Sequence, residues 1–236
     1  MATDKIKLMT EGKTLVWKSP KDNTFFYLSG MSIDADGAPN AYHPKGSPPG
    51  LDYLANAGHP GDWYGILTDT GMNDGQPVAQ GADDMCPGFY ISPTSLADKS
   101  APAKSARRYV DSTQIPYIAL PGDLHRLKYA QLGDFAIAYN LKNKGDCPAI
   151  FADVGPSGRI GEGSIALAQA LDIDSDPKHG GVGGGVFYLV FPNTRRDPPW
   201  PMSREQLTQT ANGLYLNWGG LARLQEYLAE LTVGEA

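Results

Sequence analysis

Residues 151–164 read Phe151-Ala152-Asp153-Val154-Gly155-Pro156-Ser157-Gly158-Arg159-Ile160-Gly161-Glu162-Gly163-Ser164, and the fold turns on how this stretch is taken. An apolar strand ends in one carboxylate. A Gly-Pro-Ser-Gly turn follows, and a second carboxylate sits in a glycine frame just before a helix. With Gly155 to Gly158 as a four-residue turn and Val154 opposite Arg159, Asp153 faces Ile160 and Glu162 lies two positions further on. Side chains in strands alternate with period two, so the two acids share a face of the hairpin. Diagonal neighbours of this kind stand roughly 7–8 Å apart. Register is the sensitive point, since a slip of one residue separates the acids onto opposite faces. Pro156 suits a type I or II turn, whereas tight hairpins favour the primed turns. Plainer readings stay open: Ser164 is a good helix N-cap with an acid before it, and Asp153 suits a turn.

Outward from this stretch the chain reads as short strands between turn residues. Strands are expected at 14–18, 24–28, 63–67, 88–92, 115–120, 135–141, 149–153 and 186–191, each apolar or β-branched. Ser164 to Leu171 reads as a short helix. Ser203-Arg204-Glu205-Gln206 is a capping-box pattern opening a longer one, which Gly219-Gly220 divides in two. The expected fold is therefore mainly β (α+β): a barrel-like or sandwich-like core with a short helix at the site and a C-terminal helical segment. Residues 1–192 are expected to form the β-rich catalytic domain, with 193–236 a helical extension packed on it.

Composition agrees with this reading. The chain has 236 residues, 28 glycines and 19 prolines, a content that implies many turns without reaching the level of disorder. The net charge of −6 argues against nucleic-acid binding, which rests on Lys and Arg, and suits a cationic partner. No run approaches a membrane helix in length, and no apolar leader follows residues 1–7. Cys86 and Cys147 allow one disulfide or two separate thiols.

Several segments together resemble the chitosanases of glycoside hydrolase family 75. They are Ala149 to Pro156 with Ile160 to Ala168, Gly30-Met31-Ser32-Ile33-Asp34-Ala35-Asp36-Gly37, Gly88 to Leu96, and Ile115 to Gly122. The resemblance spans roughly residues 24–192 and implies that Asp153 and Glu162 are the essential acid pair. It also implies secretion and an extracellular location. Family members have a cysteine where this chain has Ala35, so their disulfide framework does not carry over.

The implied activity is endo-hydrolysis of β-1,4-linked glucosamine polymer by an inverting mechanism, with Asp153 as base and Glu162 as acid. Inverting glycosidases hold their carboxyls about 6.5–9.5 Å apart to admit a water. Asp34 and Asp36 suit glucosamine ammonium groups, with a solvated turn the plainer reading. The same pair does not make a calcium loop, because Ala38 and Lys45 fall where oxygen ligands are required. Trp63 and Tyr64 are candidate sugar-stacking rings, with a core role the plainer reading. No cofactor or metal is expected: His43, His59, His125 and His179 show no zinc spacing. Gly180 to Gly185 lacks the dinucleotide spacing and reads as a flexible loop. The expected partner is a cationic amino-sugar polysaccharide, the expected state a monomer, with no nucleic acid and no membrane. Peptidoglycan cleavage and a non-catalytic carbohydrate-binding module are the alternatives.

Overall fold

The computed structural model describes residues 5–233. The start of the amino-terminal stretch read for a leader, residues 1–4, lies outside them. In chain order the strands are β1 (Ile6–Glu11), β2 (Thr14–Lys18), β3 (Phe25–Asp34), β4 (Gly58–His59), β5 (Asp62–Trp63), β6 (Tyr117–Pro121), β7 (Phe135–Asn140), β8 (Asp146–Gly155), β9 (Glu162–Ser164) and β10 (Val182–Phe191). The α-helices are α1 (Gly122–Arg126), α2 (Ile165–Ala170), α3 (Arg204–Trp218) and α4 (Gly220–Val233).

Strands β3, β10, β7, β8, β6 and β9 pair in that order, and β9 pairs back onto β3, closing a barrel. Closure leaves the ring without free edges. The β1–β2 hairpin extends the sheet from the first half of β3, while Ser32 to Asp34 in its second half pair with β9. The barrel is mixed: β3–β9 and β6–β8 run parallel, the other ring pairs antiparallel.

Both faces of the wall are buried, which is why β7 and β10 are apolar nearly throughout rather than alternating. In β7 the small Ala136 and Ala138 point into the barrel, where Tyr27 and Tyr188 stack at 4.7 Å. The large Phe135, Ile137 and Tyr139 point outward and meet Leu207, Ala211 and Tyr215 of α3. A narrow barrel admits few large side chains, so small residues inside and large ones outside fit its taper. The capping box at Ser203 and Gln206 forms as the sequence predicts, and Gly219, at φ 122°, ends α3. Arg223 of α4 stacks on Trp218 at 4.6 Å and pairs with Asp22, fastening the helices to the loop before β3.

The mainly β barrel with a C-terminal helical pair is as expected, and several details differ. Residues 88–92 make only a bridge between Ala79 and Tyr90, because they lie in a long covering loop rather than in a sheet. The expected strand at 63–67 shrinks to β5. The glycine run is not a free loop: Gly183 to Gly185 lie within β10 as a bulge, between the pairs Val182–Met31 and Val186–Ser29. Cys86 and Cys147 are separate thiols, and burial pushes the Cys147 thiol up to about 12. Among the described residues no helix is long and apolar enough to cross a membrane.

The hairpin expected at residues 153–162 is corrected. Strands β8 and β9 do not pair with each other; β6 lies between them and pairs with both. Residues 156–161 are a crossover, pinned where the Gly158 N–H donates to Glu11 Oε2 at 2.8 Å. Short-range pairing lost to the longer parallel β6–β8 ladder, which local sequence does not reveal.

Candidate active site

Asp153 on β8 and Glu162 on β9 are both register partners of Ala119 on β6. Directly opposed residues share a face of the sheet, so both acids rise from the same side with one alanine between them. That side is the outside of the barrel, since Ile118 and Phe151, the preceding register pair, point into its core.

Asp153 reaches the outer face through a bulge. The pairing steps from Ile118–Phe151 to Ala119–Asp153, leaving Ala152 as an extra residue on β8. With strict alternation Asp153 would follow Phe151 into the barrel. The bulge turns it out, as bulges beside functional sites commonly do. The segment 94–96 holds the bulge in place: the Leu96 N–H donates to the Ala152 carbonyl at 2.8 Å. The Ser95 N–H and hydroxyl both donate to Asp153 Oδ1 at 2.7 Å. These bonds favour the anionic carboxylate, while burial works the other way and raises it above the ordinary range.

Glu162 has a different setting. Burial and the charge of Asp153 raise it to about 7, with Arg159 partly opposing them. Its carboxyl leans over β6 toward β8, because a Cβ built on Gly155 would stand 3.1 Å from Glu162 Oε2. Gly155 follows Asp153 by two residues on the same face, so the Glu162 carboxyl reaches over β6 to the strand that carries Asp153. Immediately after Glu162, Ser164 caps α2 by accepting from the Leu167 N–H, and its hydroxyl donates to the Ile115 carbonyl. The helix-start reading of this stretch is realised at Ser164, two residues after Glu162.

Asp34 and Asp36 stand beside the pair. Asp34 ends β3 opposite Ser164 and is 6% exposed. Burial, then the charges of Asp36, Glu162 and Asp153, raise it well above the ordinary carboxylate range. Asp36 is likewise raised well above that range, by burial first and then by Asp153, against hydrogen bonds from Tyr42 and Ser92. Tyr42 and Ser92 hydroxyls donate to Asp36 Oδ1 at 2.9 Å each. Tyr117 donates to the Asp36 carbonyl at 2.9 Å. The four carboxyls therefore form one electrostatic group on the outer wall. Among the described residues no three His, Cys, Asp or Glu side chains are placed to hold a metal ion.

The two candidate rings part company. Trp63 is a correction to the expected sugar contacts: it is 6% exposed and packs in the core beside Tyr90, so its ring faces protein. Tyr64 is 60% exposed on the neighbouring surface. Ser95, Ser92 and Tyr42 escaped sequence reasoning because they lie far along the chain from the acids they bond. The hydroxyl run Ser92-Pro93-Thr94-Ser95 was the available sign.

Fold and site together define a closed mixed β-barrel carrying a pair of acids on its outer wall. In comparisons with known proteins the chain matches no family model and no curated protein.

Proposed function

We propose that this protein is an inverting glycoside hydrolase that cleaves within β-1,4-linked glucosamine polymers. The observation that carries the proposal is the placement of Asp153 and Glu162 in register on either side of Ala119. Two sheet spacings put their Cα atoms about 9–10 Å apart, and the Glu162 carboxyl leans toward the strand of Asp153. Inverting enzymes need about 6.5–9.5 Å, and retaining enzymes only about 5–5.5 Å.

The electrostatics support distinct roles. Glu162, raised to about 7, holds a proton near neutral pH and is the general acid for the leaving oxygen. Asp153, steadied by two hydrogen bonds from Ser95, is the base that draws a proton from water on the opposite face of the sugar. Water adds to the anomeric carbon as the glycosidic bond breaks, and the product is the α-anomer. Asp34 and Asp36 are raised well above the ordinary carboxylate range, by burial first, so they set the electrostatics around the acid pair rather than grip the ammonium groups of the polymer.

The test is release of reducing ends from chitosan by the wild type, Asp153→Asn and Glu162→Gln. Activity in the wild type and a loss of at least roughly a thousandfold in each variant is expected. Full activity in either variant, or a β-anomeric first product by proton NMR, overturns the mechanism. Binding of chitosan without cleavage by the wild type makes the chain a carbohydrate-binding module instead. Clearing of cell-wall suspensions in place of chitosan hydrolysis moves the substrate to peptidoglycan.

A further inference from the structure

Ser92 is short of a hydrogen. Its hydroxyl lies 2.9 Å from Asp36 Oδ1 and 3.0 Å from the Gly65 carbonyl, within donor reach of each, and it accepts the Gly37 N–H at 3.3 Å. A serine hydroxyl carries one hydrogen and serves one acceptor at a time. Ser92 and Gly65 are both buried, and among the described residues the Gly65 carbonyl has no donor other than Ser92. With Asp36 ionised, the Ser92 hydrogen goes to the carboxylate and leaves a buried carbonyl bare, which folded chains rarely tolerate. A proton on Asp36 Oδ1 removes the conflict. Asp36 then donates to Ser92, and Ser92 donates to Gly65. Oδ1 still accepts from the Tyr42 hydroxyl at 2.9 Å.

Ser92 opens the segment that holds Asp153. Thr94 accepts from the Val110 N–H at 2.9 Å and donates to the Leu96 carbonyl at 2.7 Å. Ser95 gives its two bonds to Asp153, and the Leu96 N–H one to the Ala152 carbonyl. The run 92–96 thus joins Asp36 at one end to Asp153 at the other.

The two ends suit opposite states of charge. The charges that bear on Asp36 are those of Asp34 at the end of β3, Asp153 on β8 and Glu162 on β9, with the phenols of Tyr42 and Tyr117 bonded to it. Like charges gathered in one group do not all ionise. The base has to be an anion. A neutral Asp36 fastens the segment without opposing the charge on Asp153, and burial favours that neutral form.

We propose that Asp36 is a positioning residue that works as a neutral carboxylic acid, anchoring residues 92–96 through Ser92 so that Ser95 presents both of its donors to Asp153. The proposal rests on the base role given to Asp153. A carboxylic acid held neutral near pH 7 so that it can donate is a known device of active sites.

Aspartate variants test it by the direction of a shift. If Asp36 were charged, removing that charge would ease ionisation of Asp153 and carry the acidic limb of the activity profile to lower pH. Asp36→Ala is expected to do the reverse, because Ser95 loses its anchor: the limb moves to higher pH, kcat falls about tenfold, and KM for chitosan stays within about twofold. Asp36→Asn keeps a donor toward Ser92 and is expected to recover most of that loss, with the limb within about 0.3 pH unit of wild type. Thermal denaturation checks each fold. A limb displaced to lower pH in Asp36→Asn, or a loss of kcat there equal to that in Asp36→Ala, overturns the proposal. Carbon-13 NMR of labelled aspartate carboxyls reads the proton itself. The resonance missing from Asp36→Asn is expected to be that of a protonated carboxyl at about pH 6, where an ordinary aspartate is ionised. An ionised resonance there overturns the proposal while leaving a chitosan-cleaving wild type intact. A protonated resonance in a chain that cleaves nothing keeps the anchor and overturns its service to a base. Both readouts of Asp36→Asn stand whether or not Asp36→Ala folds.

Discussion

Ser95 decides how the two acids differ. Its N–H and its hydroxyl converge on one oxygen of Asp153 at 2.7 Å, whereas Glu162 has burial and a neighbouring charge acting on it instead. Ser95→Ala keeps the N–H bond and loses the hydroxyl bond. A hydrogen bond to a charged group contributes about 1.5–3 kcal/mol, so the anion of Asp153 becomes harder to form. The acidic limb of the activity profile is expected to move to higher pH, with roughly tenfold less activity on that limb. Ser95→Thr is expected to restore the limb. An unmoved profile in Ser95→Ala would deny Ser95 its positioning role. Under the proposed mechanism an alkaline limb is expected near pH 7, where Glu162 loses its proton.

At the level of elements, the legible parts were those whose signal is local. β7, β8 and β10 carry apolar runs, and α3 carries a capping box and a glycine stop, so these elements stood out in the sequence. β9 did not, because Glu162-Gly163-Ser164 has little intrinsic strand preference and pairs only through partners supplied by β3 and β6. The face shared by Asp153 and Glu162 was read correctly for a reason that proved wrong. The expected hairpin is absent, and the shared face arises from two ladders on β6 plus the bulge at Ala152, neither of which alternation can predict. The helical cap gives its own tests. Ser203→Ala is expected to cost about 1 kcal/mol. Gly219→Ala places a Cβ 3.0 Å from Arg223 Cβ in a left-handed conformation and is expected to cost about 1–3 kcal/mol. Urea midpoints at constant slope measure both.

For the whole molecule, the acidic group on the outer wall links stability to pH. Asp34, Asp36, Asp153 and Glu162 all sit above their ordinary values, chiefly through burial. The folded chain therefore binds more protons than the unfolded chain over the window between ordinary and raised values. Stability falls as pH rises through it, which for Glu162 runs from 4.5 to about 7. Thermal midpoints are expected to be higher near about pH 5 than near about pH 8, and Glu162→Gln is expected to flatten the difference. A midpoint that climbs over this interval would contradict the burial of the carboxyls. Ala119 carries a last consequence. The Cα separation of Asp153 and Glu162 is set by the repeat distance of backbone pairing across one intervening strand, so no loop motion can retune it. Moving the backbone positions of the two acids relative to each other would therefore require re-threading the barrel.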